Sequence, residues 1–274
     1  MHALLFALLA CSKDENPGNP SSGGDDTGNG GYPSEFSTGK YRLTAFTILG
    51  PDQGRDWDDD GEVDNNLPNV LSIFGAFLDG VDFSKDGLNV IAADAIDNDT
   101  LVILVDASYD DVDLTLDFLA GLVDGDGHLV VDEKASYVDG EPISRVVGTF
   151  VGETAFTAGP NSMVLSIPVT PSGTLAAFPL EEVRMDGDLG AISLDGTIAG
   201  IVPVEPFANG VLPLFIPENG YDVDGDGEIG SGETQAELID LATTILTTAS
   251  DVVTEDGKPG ISAAIHFAAG AAAF

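Results

Sequence analysis

The sequence predicts a mainly β domain, an antiparallel sandwich or curved sheet carrying one or two helices. Three observations lead there. Short apolar segments separated by turn residues recur from Arg145 to Val204. Strict alternation of apolar and polar residues marks two earlier stretches, Tyr41 to Leu49 and Val112 to Leu119. Apolar residues spaced by three and four occur in Leu67 to Leu78 and Glu233 to Val253. A period of two fits a half-buried strand, and a period near 3.6 fits a helix with one buried face.

Taken in order, the chain opens on an apolar run, Ala3 to Ala10, ending at Cys11. Ser12 to Thr38 is rich in Gly, Ser, Pro, Asn and Asp, which cannot bury a core, so residues 11–38 are expected to form a flexible tether. The folded part then starts with the strand Tyr41–Leu49, presenting Leu43, Ala45, Thr47 and Leu49 on one face. A helix capped by Asn69 is expected to carry Val70, Leu71, Phe74, Phe77 and Leu78. Leu101–Val105 is continuously apolar, as in a strand buried on both faces, and Asp124-Gly125-Asp126-Gly127-His128 reads as a hairpin turn with His128 in the turn.

The segments Val146–Phe156, Ser162–Val169, Thr174–Pro179, Glu181–Leu189 and Ala191–Ile201 follow as strands, with Asn161, Pro171-Ser172-Gly173 and Asp186-Gly187-Asp188 as breaks. Pro213 and Pro217 exclude a helix before residue 222. The Glu233–Val253 helix has Ser231 as its expected N-cap, and Ile261–Phe274 returns as a last core strand. The reading thus gives residues 1–10 as a leader, 11–38 as a tether and 39–205 as the β domain. Residues 206–274 add a loop, a helix and a strand packed on that domain.

Composition narrows the function. Net charge is −38, from 47 acidic against 9 basic residues, which excludes nucleic acid and anionic lipid headgroups as electrostatic partners. Cys11 is the only cysteine, so neither an internal disulfide nor a cysteine metal cluster can form. G-x-S-x-G, H-E-x-x-H and Walker patterns are absent, and the three histidines are His2, His128 and His266. No catalytic constellation can be assembled from these residues.

The most specific stretch is Asp222-Val223-Asp224-Gly225-Asp226-Gly227-Glu228-Ile229-Gly230-Ser231-Gly232-Glu233. Carboxylates at loop positions one, three and five (Asp222, Asp224, Asp226) can be turned toward one point, and Gly227 at position six permits a positive φ. Glu228 offers a backbone carbonyl at position seven, and Glu233 closes the shell at position twelve. The stretch resembles an EF-hand calcium loop, which implies Ca²⁺ as the ligand. Two proline residues stand where an entering helix belongs, and no tandem copy follows as in a dockerin. A second acidic stretch offers Asp56, Asp58, Asp60, Glu62 and Asp64, with Leu67 at position twelve, and resembles one unit of a thrombospondin type 3 repeat.

Leu8-Leu9-Ala10-Cys11 resembles the lipobox of a bacterial lipoprotein precursor, although only Met1-His2 precede the apolar run. That resemblance implies lipidation of Cys11 and an exported protein anchored at the cell envelope or cell surface. The whole then reads as a non-enzymatic surface or adhesion module with a structural calcium site. The alternative is a calcium-stabilised, secreted-type carbohydrate-active hydrolase, which needs two carboxyl groups about 5 to 10 Å apart.

Overall fold

In the computed structural model, residues 37–75, 82, 84–168, 175–223 and 226–274 are described. Residues 1–36, on which the expected leader, Cys11 and most of the expected tether fall, lie outside the described residues, as do Asp224 and Gly225. In chain order the elements are β1 (Ser37–Ile48), α1 (Leu67–Gly75), α2 (Lys85–Asp97), β2 (Ile103–Tyr109), β3 (Asp113–Val123), β4 (Leu129–Val131), α3 (Glu133–Ser136), β5 (Tyr137–Val138) and β6 (Glu141–Pro142). There follow β7 (Arg145–Phe150), β8 (Ala155–Pro168), β9 (Leu175–Leu189), β10 (Ser193–Pro203), α4 (Val204–Gly210), a 3₁₀ turn (Leu212–Leu214), α5 (Gln235–Ala249), β11 (Val252–Val253) and β12 (Pro259–Ala271).

The strands run β1-β2-β3-β7-β8-β9-β10-β12, every neighbour antiparallel, and β12 pairs with β1 as well as with β10. Phe267 is in register with Phe46 on one side and Gly196 on the other. The sheet therefore closes into an eight-stranded barrel and is not a sandwich. Closure satisfies the backbone of β1 and β12 without leaving an edge between them. Alternate residues converge on one interior: Ile261, Ala263, Ile265, Phe267 and Ala269 from β12 meet Leu114, Leu116 and Phe118 from β3 and Met163, Leu165 and Ile167 from β8. Phe118 and Phe267 meet edge to face with ring centroids 5.7 Å apart.

Several segment boundaries differ from the sequence reading. Val146–Phe156 is two strands, β7 and β8, joined by a turn at 151–154. The gap between Pro179 and Glu181 is a bulge inside the long strand β9, where Glu182 takes φ +51° and lets both Leu180 and Val183 face the core. Asp186-Gly187-Asp188 is likewise within β9 and not a turn. α1 starts at Leu67, ahead of Asn69. The helix after residue 233 is capped by Thr234, whose hydroxyl and the Glu237 carboxylate form a reciprocal capping box, so Ser231 is not the cap. Helices α2 and α4 have no counterpart in the sequence reading; their apolar faces are short and interrupted by Asn and Asp.

Up-and-down pairing sends alternate connections to opposite ends. The links at 110–112, 151–154 and 190–192 are tight and lie at one end. The long links, 49–102, 124–144 and 204–258, lie at the other. α2 touches β1 and β8, which are four strands apart around the barrel, so it spans that mouth. Asn89 on α2 locks it there, its amide bonding both the Ile48 N–H at 2.7 Å and the Ile48 carbonyl at 3.0 Å. α4 packs on β9, β10 and β12, with Phe207 edge to face on Phe178 at 4.9 Å. All three acidic stretches thus belong to links at the same end.

Candidate metal centres

The loop before α5 is built around one carboxylate. Glu233 is 7% exposed. Its Oε1 accepts the Val223 N–H at 2.8 Å and its Oε2 accepts the Gly230 N–H at 2.6 Å. Asp222 Oδ2 accepts the Gly227 N–H at 2.9 Å, and Asp226 Oδ1 accepts the Glu228 N–H at 2.8 Å. A carboxylate oxygen that accepts one N–H can also ligate a cation, because it carries more than one lone pair. Gly227 has φ +90°, the left-handed turn that its position requires. Gly220 sets the entry: at φ +92°, with its Cβ position 2.0 Å from the Glu233 carbonyl, no side chain fits. The Tyr221 N–H then bonds that carbonyl at 2.9 Å. Asp224, the expected third ligand, lies outside the described residues.

The loop between β1 and α1 repeats this plan. Asp56 Oδ2 accepts the Gly61 N–H at 2.9 Å, Asp60 Oδ1 accepts the Glu62 N–H at 2.8 Å, and Gly61 has φ +91°. The closing carboxylate is Asp64 at position nine, whose Oδ2 accepts the Trp57 N–H at 2.6 Å. Trp57 holds position two, as Val223 does in the other loop. Leu67, the residue at position twelve, is buried at the start of α1 and plays no part. The sequence reading sought closure at position twelve; the shorter D-x-D-x-D-G-x-x-D spacing was the signal for Asp64.

Asp56, Asp58 and Asp64 each offer an oxygen, all within 4.8 Å of one another, so this group could hold a metal ion. Asp60 and Glu62, expected alongside them, do not belong to that group. The loop is anchored from below. Asn65, 3% exposed, donates from Nδ2 to the Gly50 carbonyl at 2.7 Å and the Gln53 carbonyl at 2.9 Å, and accepts the Ala264 N–H at 3.2 Å. Asn66 donates to the Ala249 carbonyl at 2.6 Å, tying the loop to the end of α5.

A second group within the same limit is Asp124, Asp126 and His128, in the hairpin between β3 and β4. The hairpin was expected. His128 is in the turn as expected; its grouping with the two acids was not expected. Alternate residues of a tight turn share a side, and that spacing was the available signal. Asp124 Oδ1 accepts the His128 N–H at 2.8 Å and the Asp126 N–H at 2.9 Å, and these bonds hold its carboxyl below the ordinary carboxylate range.

One carboxylate pair outside the loops stands apart. Asp106 on β2 and Asp117 on β3 face each other across the ladder on the outer surface. Arg145 grips Asp117 with Nε at 2.7 Å and Nη2 at 2.9 Å. Burial lifts the Asp106 carboxyl above its ordinary value; the Lys40 ammonium pulls it back, and the Asp117 charge adds to the rise. Among the described residues no helix is long and apolar enough to cross a membrane. No family model, no curated protein and no solved structure matches the chain.

Proposed function

We propose that the chain is a calcium-binding, lipid-anchored extracytoplasmic protein whose ions are structural. One observation carries the calcium reading: two loops far apart in sequence repeat the same three internal bonds. In each, the first carboxylate takes the N–H of the glycine at position six. The fifth takes the N–H at position seven, and a closing carboxylate takes the N–H at position two. These bonds aim acidic oxygens inward despite their mutual repulsion, which a hard divalent cation then neutralises. An all-oxygen donor set favours Ca²⁺ over softer transition metals. In the first loop the ligands are Asp222, Asp224, Asp226, the Glu228 carbonyl and Glu233; in the second, Asp56, Asp58 and Asp64 lead.

The ions fasten long links to one end of the barrel: the first loop sets the start of α5, and the second packs on β12. Extracellular calcium modules bind at about 10⁻⁴ to 10⁻³ M. At a hundredfold excess over such a constant each site adds about 2.7 kcal/mol. The test is calorimetric unfolding in calcium and in chelator. A transition that rises in calcium supports the reading, and one indifferent to both ends it. The anchor rests on Leu8-Leu9-Ala10-Cys11, and a role at the envelope or cell surface in adhesion or assembly follows from it.

The Asp106–Asp117 pair favours a second reading, a calcium-stabilised hydrolase acting on carbohydrate. Two carboxyl groups in unlike settings are what acid/base hydrolysis needs. Here burial raises the Asp106 carboxyl, which suits it to the acid role, and Asp117, gripped by Arg145, stands beside it. Release of reducing sugar from a polysaccharide panel, abolished by Asp106→Asn, supports this reading; a panel without turnover removes it.

A further inference from the structure

Strand β7 begins at Arg145, in register with Asp117, so β3 and β8 separate beyond that level. Ser144 bridges them there. Its carbonyl accepts the Phe118 N–H at 2.9 Å, while its hydroxyl accepts the Val164 N–H and donates to the Val164 carbonyl, each at 2.9 Å. Past Ser144 the wall holds a cavity of about 360 Å³. Ile103, Phe118 and Leu165 form its buried floor, and Leu122, Val164 and Leu175 its rim, exposed by 52%, 39% and 42%. Scattered exposed apolar side chains are ordinary, but three of them around one concavity with an apolar floor are not.

The cavity also has a polar edge. Val164 turns its N–H and C=O toward Ser144, and in an antiparallel ladder the residue two further on turns the same way. Ser166 therefore directs its backbone donor and acceptor into the opening. We propose that this break in the barrel wall binds a small, uncharged, largely apolar molecule that hydrogen-bonds the Ser166 backbone. The volume lies within the roughly 300 to 1,000 Å³ of small-ligand sites. A net charge of −38, with Asp132 on the wall, repels a carboxylate such as that of a fatty acid. An added peptide strand is disfavoured because β8 ends at Pro168, two residues past Ser166, which leaves too short a ladder.

The test uses the full chain and the neutral fluorophore N-phenyl-1-naphthylamine, with its anionic relative 8-anilinonaphthalene-1-sulfonate for comparison. The neutral probe is expected to bind saturably at one site, and the sulfonate at least about tenfold more weakly, a difference of 1.4 kcal/mol. Val164→Trp, and independently Ala177→Trp on β9 in register with Ser166, fill the opening and weaken the neutral probe at least about tenfold. Leu241→Lys, in the separate apolar groove beside α5, leaves it unchanged. The proposal is overturned by an absence of saturable binding, by equal binding of the sulfonate, or by both tryptophan variants binding as the parent does. Loss confined to Leu241→Lys also overturns it, because the probe then sits in the α5 groove.

Discussion

Replacing Glu233 by Ala removes the carboxylate around which the loop before α5 is wound. Two backbone donors lose their acceptor, the N–H of Val223 at 2.8 Å and that of Gly230 at 2.6 Å. A hydrogen bond to a charged group contributes about 1.5 to 3 kcal/mol, so the pair sets an upper bound of about 6 kcal/mol. Val223 is 58% exposed, so water replaces part of what is lost. The net cost should be about 3 kcal/mol, near the lower end of that range. For a domain of this size, 1 kcal/mol moves the midpoint by about 2 to 4 °C, giving a fall of about 6 to 12 °C.

Differential scanning calorimetry in chelator measures that fall with no metal contribution. In calcium at a hundredfold excess the parent gains about 2.7 kcal/mol at this site and the variant does not, so the gap widens. Glu228→Ala is the control, since Glu228 is assigned only a backbone carbonyl; its transition should stay within about 0.5 kcal/mol of the parent, as for other surface changes. A Glu233→Ala midpoint within about 2 °C of the parent in chelator, less than 1 kcal/mol on this scale, refutes the reasoning. So does a gap that fails to widen in calcium.

The remaining predictions address other parts of the molecule. Gly220→Ala forces a Cβ onto the Glu233 carbonyl at φ +92° and should cost about 1 to 3 kcal/mol in chemical denaturation; a neutral result contradicts the entry geometry. Asp64→Ala should abolish calcium protection of the first long link against proteolysis while leaving the Glu233 loop protected, and equal loss at both places contradicts separate sites. The folded chain holds the Asp106 proton more tightly than the unfolded chain, whose value is near 3.8. That group therefore favours the fold below 3.8 and loses this contribution as pH rises through its raised folded value. Asp106→Asn should accordingly raise the midpoint at pH 7 and leave it unchanged at about pH 3, below the ordinary carboxylate range. Cys11→Ala should eliminate incorporation of labelled fatty acid in a bacterial host, and an unlabelled parent chain contradicts the anchor.

Much of the fold was legible in residue periodicity. Leu43 and Leu114 to Phe118 declare strands because their neighbours alternate, and Leu238 to Leu246 declare a helix because they do not. Closure was not legible: the same Ile261-to-Ala269 alternation serves a sandwich or a barrel. What decides is that β12 finds β1 on one side and β10 on the other, a pairing between chain ends. Glu182 hid β9 in the same way, since a bulge and a turn both interrupt alternation. At the loop before α5, fixed spacing singled out Asp222, Asp226 and Glu233, whose carboxylates accept backbone N–H groups of that same loop. Asp64 was named with its neighbours, but its closing place at position nine was not legible because closure was sought at position twelve, and the grouping of His128 with Asp124 and Asp126 carried no pattern of its own.

The most direct measurement is isothermal titration of Ca²⁺ into metal-stripped full-length chain, repeated with Glu233→Ala, with Asp64→Ala and with both. The account predicts two saturable ions per chain, one lost in each single variant and none left in the double, with Mg²⁺ competing poorly. Absence of heat up to millimolar Ca²⁺, or binding that survives the double variant, contradicts the claim that these inward-turned carboxylates enclose the ion.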